Sequence, residues 1–127
     1  ARAAGKAGRR AGIARPRPDP VLIMPESAFF AHVLRINEVA IRHRFPTIAL
    51  LREFARRGSL MSYGPSIPDL VKRSAAFIDK ILRGANPANL PIEQPTKFEL
   101  VINLKTAKAL KLKIPQPLLV RADQVIE

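Results

Sequence analysis

One stretch of the sequence, residues 60–115, constrains the fold more than any other. It opens with a short apolar run, Leu60–Tyr63, which is typical of a buried strand. In Ile67–Arg83 apolar residues then recur at spacings of three, four and seven, with charged residues on the opposite side. Ser66 is a suitable N-cap and Gly84 a suitable end. The pattern predicts a strand, a sharp loop and a long helix.

The second half of this stretch predicts a connector and another strand. The segment 85–96 contains three prolines and is expected to be extended rather than helical. Phe98–Ile102 follows as a strand, and Asn103 can cap a two-turn helix over Leu104–Leu110. A long helix between two strands is the signature of a layered α/β arrangement.

The sequence before residue 60 repeats the same alternation. Val21–Met24 is fully apolar, as expected of a central parallel strand that is covered on both faces. Ser27 can cap a helix over Ala28–Arg44, and Thr47–Leu51 predicts the next strand. A short helix then follows, which Gly58 can close in a left-handed turn. The expected order is β-α-β-α-β-α-β-α, an α/β fold with a mainly parallel sheet and flanking helices.

The length of 127 residues suits one domain, and the positive charge is distributed unevenly along the sequence. Residues 1–18 are a basic, low-complexity leader of Ala, Gly, Arg and Pro, expected to be disordered, and residues 19–127 a single α/β lobe. The net charge is +12, of which residues 1–20 supply +5 from six bases and one acid. A solvated leader is the favoured interpretation, because this segment contains no aromatic residue for stacking on bases. The alternative is a small basic α/β protein that binds nucleic acid through the leader.

Composition and spacing argue against several classes of chemistry. Cysteine is absent, which excludes disulfides and thiolate metal sites. His32 and His43 are eleven residues apart on one predicted helix, too far to share a metal ion. The sequence contains no glycine-rich phosphate loop and no nucleophile elbow, and no cofactor is expected. Glu26 and Glu53 at strand ends lack the aspartate pair of a receiver-like signalling domain. We therefore expect no enzyme.

The candidate binding residues lie in loops at the carboxyl ends of the first three predicted strands, where open parallel sheets bind ligands. The loops are 25–29, 51–53 and 62–66. A serine before a helix leaves backbone N–H groups facing the crevice, where they can bind a carboxylate. Aromatic rings and a glutamate can contact the rest of a small solute, with Glu26 or Glu53 pairing an ammonium group. The alternative is that the serines are simple caps, Phe29 is core and Glu26 is solvated. The predicted ligand-binding residues are Glu26, Ser27, Phe29, Ser62, Tyr63, Gly64 and Ser66.

Four short motifs, in this order and spacing, resemble the carboxyl-terminal portion of ABC transporter substrate-binding proteins of the tryptophan/tyrosine type. The resemblance extends over about residues 20–127. It is carried by Arg52-Glu53-Phe54, Gly58–Gly64, Lys80–Gly84 with Pro87 and Leu90-Pro91, and Lys97–Ala107.

The resemblance implies a role and a fold. Such proteins are exported, non-catalytic receptors that deliver a small solute to a membrane permease, and they have the two-lobed, type I periplasmic-binding fold, which closes like a hinge. By likeness, loops 25–29 and 62–66 belong to the cleft of the carboxyl-terminal lobe. The helix Ile67–Arg83 crosses to the other lobe, and Phe98–Asn103 lies near the hinge. An aromatic amino acid or another small organic solute is the expected ligand.

Three departures from the family pattern qualify this interpretation. Pro25-Glu26-Ser27 replaces the usual loop after the first strand, and Lys111 stands where relatives usually have glycine. The amino-terminal lobe and its export signal are not visible, so we expect a fragment or truncated product, cytoplasmic if expressed as it is, whereas the family is periplasmic or envelope-bound. Such a chain should bind solute weakly. It should also expose an apolar face on Ile67–Arg83, to be covered by the missing lobe or by a second copy.

Overall fold

A computed structural model describes residues 18–127 of the chain, so the predicted basic leader lies, except for its last residue, outside the described residues. The eight predicted elements occur in the predicted order, with the first helix divided into two, and three further elements were not predicted. The strands are β1 (Val21–Ile23), β2 (Thr47–Ala49), β3 (Met61–Pro65), β4 (Phe98–Asn103) and β5 (Gln124–Ile126). The helices are α1 (Ser27–Ala31), α2 (Val33–Arg42), α3 (Arg52–Arg56), α4 (Ile67–Leu82), α5 (Leu104–Ala109) and α6 (Gln116–Arg121), with a 3-10 turn at Pro87–Asn89.

The five strands form one sheet in the order β1-β2-β3-β4-β5. The strands β1, β2 and β3 run parallel, β4 is antiparallel to β3, and β5 is parallel to β4. The predicted α/β fold with a mainly parallel sheet is confirmed. Because β1 to β3 share one direction, their carboxyl ends and the three candidate loops lie on the same side of the sheet. This side, where the strands end, is called the candidate edge.

Two separate apolar clusters stabilise the described residues. The first lies beneath α2 and α3 and combines Ile23, Val33, Ala49 and Phe54 with the partly buried Ile36 and Leu51. The second lies around α5 and combines Leu60, Ala107 and Leu110 with Met61, Leu104, Leu112 and Ile114. The first cluster therefore supports the loops at the candidate edge.

A buried amide joins α2 to its neighbours. Asn37 donates to the carbonyl of Arg57 at 3.0 Å and accepts from the hydroxyls of Ser59 at 2.9 Å and Thr47 at 3.5 Å. Asn103 plays a similar part, accepting from the Thr106 N–H and donating to the Ala55 carbonyl at 2.8 Å. The predicted capping role of Asn103 is confirmed. Both amides hold α3 in place, and α3 begins directly after the loop that follows β2.

The structure corrects several predictions about the first half of the chain. The strand β1 lies at the edge of the sheet rather than at its centre, and Leu22 is 58% exposed. The helix predicted over residues 28–44 is divided at His32 into α1 and α2. Glu26 occupies the N-cap position of α1 without a side-chain capping hydrogen bond, and Ser27, the predicted cap, is the first helical residue. An all-apolar pattern therefore does not distinguish an outer strand of a sheet from a central one.

Two further corrections concern the second half. The connector is not wholly extended, because Pro87–Asn89 forms a 3-10 turn in which Asn86 accepts from the Ala88 N–H. The elements α6 and β5 were not predicted, since each is short and prolines interrupt the sequence before them. The position of Lys111 keeps the left-handed conformation expected of glycine there, with φ of 57°. Gly58 also has the predicted positive φ.

The longest helix, α4, packs loosely, as predicted. None of its residues is buried, and Val71, Ile78 and Leu82 are 65%, 57% and 82% exposed. Arg73 attaches one edge to the connector through Thr96 at 2.9 Å and an ion pair with Glu93. Among residues 18–127, no helix combines the length and the apolar character needed to cross a membrane.

Candidate functional site

The loops after β1 and β2 enclose a small depression at the candidate edge of the sheet. Its volume is about 250 Å³. The lining residues are Pro25, Glu26, Ser27, Phe30, Leu51 and Phe54. The floor is aromatic, because Phe30 meets Phe54 edge-on with ring centroids 5.8 Å apart. Two predicted residues, Glu26 and Ser27, thus lie together at the rim of an apolar hollow.

The third loop is joined to the second by a close backbone approach. A Cβ atom on Gly64 would lie 1.9 Å from the carbonyl oxygen of Leu50, nearer than any real contact. Glycine is therefore required at this point, where β3 passes beneath the loop that follows β2. All three predicted loops consequently meet at one edge of the sheet.

An aromatic pair stands beside this edge. Tyr63 and Phe98 stack with ring centroids 5.8 Å apart and an interplanar angle of 24°. The pairing of β3 with β4 explains this contact, because Pro65 opposes Phe98 and Tyr63 opposes Leu100, which makes the two rings diagonal neighbours. The rings are 56% and 46% exposed. They offer an apolar surface on which a planar ligand can stack.

The serines of the third loop lie below the surface. Ser62 is 1% exposed, and its hydroxyl has no hydrogen-bond partner within residues 18–127. Ser66 is also buried, and its N–H donates to the Lys97 carbonyl at 3.0 Å. Ser66 occupies the N-cap position of α4, but its side chain makes no capping hydrogen bond. The first turn of this long helix is therefore free of a side-chain cap and can attract an anion.

A charged bridge lies between the second loop and β4. Arg52 contacts Glu53 at 3.3 Å and Glu99 at 3.4 Å. Glu53 is thus already paired with a cation, whereas Glu26 is exposed at the rim of the depression. Glu99 opposes Gly64 in the sheet, so the bridge sits beside the third loop.

The structure does not bring every predicted residue to the surface of the site. Glu26, Ser27, Phe29 and Tyr63 are exposed, whereas Ser62, Gly64 and Ser66 are buried. Phe30, rather than Phe29, lines the depression. Phe30 lies four residues after the N-cap residue Glu26, and its N–H donates to the Glu26 carbonyl at 3.0 Å. This helical spacing, which places the two residues on the same face of α1, could have identified Phe30 from the sequence.

Two contributors were missed because they depend on strand pairing. Phe98 and Glu99 reach the site through the antiparallel pairing of β4 with β3, which sequence spacing does not reveal. Within the described part of the chain, no group of three or more His, Asp or Glu side chains could hold a metal ion. The side chains at this side of the sheet provide an aromatic surface, an exposed carboxylate at Glu26 and a helix start without a side-chain cap.

The sequence matches one family model over most of its length. The model describes the ABC transporter substrate binding protein family and matches residues 16–126. A search of curated protein sequences found no match.

Three solved structures share the fold. A conserved domain protein from Vibrio cholerae has a TM-score of 0.79 and 22% identity, over 84% of this chain and 36% of that one. The ABC domain from Streptococcus pneumoniae in complex with L-Trp has a TM-score of 0.77 and 25% identity, over 85% and 38%. A ligand-free, open substrate-binding protein with adhesive properties from Clostridium difficile has a TM-score of 0.61 and 18% identity, over 83% and 35%. The chain thus spans little more than a third of the length of these proteins.

Proposed function

The chain belongs to the ABC transporter substrate-binding protein family, and on this premise we propose that it forms one wall of a cleft that receives a small solute. The family match over residues 16–126 is the observation that carries the proposal. The role is that of a non-catalytic receptor, which presents the solute to a membrane permease. Its place of action is the cell envelope, where such a permease is reached.

We propose an aromatic amino acid as the solute. The stacked rings of Tyr63 and Phe98 suit a planar side chain, and Glu26 at the rim of the hollow suits its ammonium group. The uncapped start of α4, directly after the third loop, suits its carboxylate. The L-Trp complex of the pneumococcal structure supports the same class of ligand.

The depression is shallow, which predicts weak binding by this chain. Good small-molecule sites bury most of the ligand surface in a volume of roughly 300–1,000 Å³. The depression provides about 250 Å³ and lies at an open edge. A second wall is needed to enclose an amino acid, so we expect a dissociation constant in the millimolar range for this chain.

The chain offers a direct NMR test, because it has one tyrosine, Tyr63. Titration with L-tryptophan should shift the Tyr63 ring resonances in a saturable way, because the ring current of a bound indole acts on them. Glu26→Gln removes the proposed ammonium partner and should weaken binding several-fold. Glu38→Gln changes an exposed glutamate on α2 and should leave binding unaltered.

The interpretation of this titration is strict. L-leucine should produce no comparable shift, because it has no aromatic ring. An equal response of the Glu26→Gln and Glu38→Gln variants would contradict the role of Glu26. The absence of a saturable shift of the Tyr63 resonances at millimolar L-tryptophan would contradict the aromatic solute.

A further inference from the structure

A second hollow lies beside α5 and is larger than the depression at the candidate edge. Its volume is about 430 Å³, against about 250 Å³ for the depression. This volume falls within the roughly 300–1,000 Å³ of typical small-molecule sites. The apolar part of its lining consists of Leu104, Ala107, Leu112, Ile114 and Leu119. None of the residues proposed to bind the solute lines this hollow.

The end of α5 explains how the chain forms two facing walls. The N–H of Leu112 donates to the Ala107 carbonyl at 2.9 Å, and the N–H of Lys111 donates to the Lys108 carbonyl at 3.0 Å. These two hydrogen bonds form a Schellman motif, in which Lys111 has the left-handed conformation with φ of 57°. The motif reverses the chain, so that residues 112–114 return against α5 and form the second wall.

The hollow and α4 lie at opposite ends of β4. The helix α5 follows Asn103 at the carboxyl end of the strand, whereas the connector from α4 enters the strand at Phe98. Asn103 pairs with Ile126 of β5, which brings Glu127 beside Leu104 at the rim of the hollow. A strand of six residues is about 20 Å long. A partner that covers α4 therefore leaves this region of the surface open.

The walls of the hollow expose part of an apolar core. Leu104, Leu112 and Ile114 pack against the buried residues Leu60 and Leu110, but they are themselves only partly buried. An apolar group that enters the hollow removes their remaining surface from water, which favours binding. Within the described part of the chain, this lining has no aromatic side chain on which a ring could stack. A flexible aliphatic chain is therefore the better fit.

The rim of the hollow is positively charged. Lys105, Lys108 and Lys113 line it, and Glu127 is the acidic residue among its described lining. All three lysines are exposed, and the ion pairs formed within residues 18–127 include none of them. Lysine stems can lie along apolar surface while their ammonium groups stay in water. The rim can therefore pair with an anionic group at one end of an aliphatic chain.

We propose that this hollow binds an amphipathic anion with an aliphatic tail, of the class of medium-chain fatty acids. The tail lies between α5 and residues 112–114, and the carboxylate lies at the rim beside Lys105 and Lys108. The apolar walls account for the tail and the excess of lysines for the charge of the head group. The proposal does not depend on the proposed solute, because the two sites share no residue.

Titration of the full chain with octanoate, followed by NMR of the leucine and isoleucine methyl groups, tests the proposal. The methyl resonances of Leu104, Leu112 and Ile114 should shift in a saturable way at millimolar octanoate. Butyrate should cause no saturable shift, because its tail is too short to cover the walls. The neutral analogue 1-octanol should bind about tenfold more weakly, because it forms no contact with the ammonium groups.

Substitution of the rim lysines tests the role of charge. The double variant Lys105→Gln with Lys108→Gln should weaken octanoate binding about tenfold and leave 1-octanol binding unaltered. The control is Lys72→Gln with Lys80→Gln, which changes the net charge equally on α4 and should bind octanoate as the wild type does. Equal affinities of the two double variants, or octanoate shifts confined to other methyl groups, overturn the proposal.

Vesicles of phosphatidylglycerol distinguish a free amphipathic anion from a membrane surface. The wild type should bind octanoate whether or not it sediments with these vesicles. If it sediments with them through Lys105 and Lys108 and shows no saturable shift with octanoate, the lysines face a membrane and the proposal is overturned. L-tryptophan should leave the three methyl resonances unchanged, so the failure of one proposed site does not affect the test of the other.

Discussion

At the scale of single residues, backbone conformation explains positions that side-chain chemistry does not. Gly64 was predicted to be a ligand-binding residue because it lies in a candidate loop. In the structure it lies against the Leu50 carbonyl. Lys111 has φ of 57°, a region that costs most residues about 1–2 kcal/mol. One position requires the absence of a side chain, and the other tolerates a side chain at a cost.

Gly64→Ala should destabilise the fold by about 3 kcal/mol or more, because the new Cβ meets backbone that cannot move aside. Gly84→Ala is the control, since nothing lies within 4 Å of its Cβ and its cost is limited to a positive φ. Urea unfolding followed by circular dichroism measures both. Equal losses for the two variants would contradict the importance of the contact with Leu50.

Lys111→Gly should raise the free energy of unfolding by about 1 kcal/mol, because glycine adopts a positive φ without strain. The matched control is Lys113→Gly, which removes an exposed lysine whose φ is not positive and should lower stability slightly. Thermal unfolding of both variants checks the sign. Stabilisation by both, or by neither, would show that the left-handed strain at Lys111 is unimportant.

At the scale of elements, the sequence predicts those whose pattern is long and locally complete. The helix α4 was predicted to within one residue at its end, because the apolar period, a first-turn proline and Gly84 agree. Asn103 was predicted as a cap because it stands between a strand pattern and a helix pattern. In these segments local chemistry and the final fold require the same conformation.

The elements that were mispredicted depend on long-range contacts. The helix break at His32 follows no proline or glycine, and β1 is at the edge because of strand order rather than its own residues. The strand β5 has three residues and exists because it pairs with β4. The same limit applies to the candidate site, where Phe98 and Glu99 arrive through strand pairing.

At the scale of the whole molecule, the apolar surface is divided between a buried interior and an exposed exterior. Two buried clusters lie against the sheet, while Leu22 and the apolar side chains Val71, Ile78 and Leu82 of α4 remain exposed. Because the exposed side chains remain in water, their apolar area adds little to the stability of residues 18–127.

The reversal of direction between β3 and β4 has a consequence for how this chain can change. Pro65 and Phe98 are paired neighbours, and Ser66 donates to Lys97 at the base of the excursion formed by residues 66–97. The excursion thus leaves and rejoins the sheet at one point, as the loop of a very long hairpin does. We therefore expect that α4 and its connector can be shortened or replaced by a tight turn without altering the order of the strands.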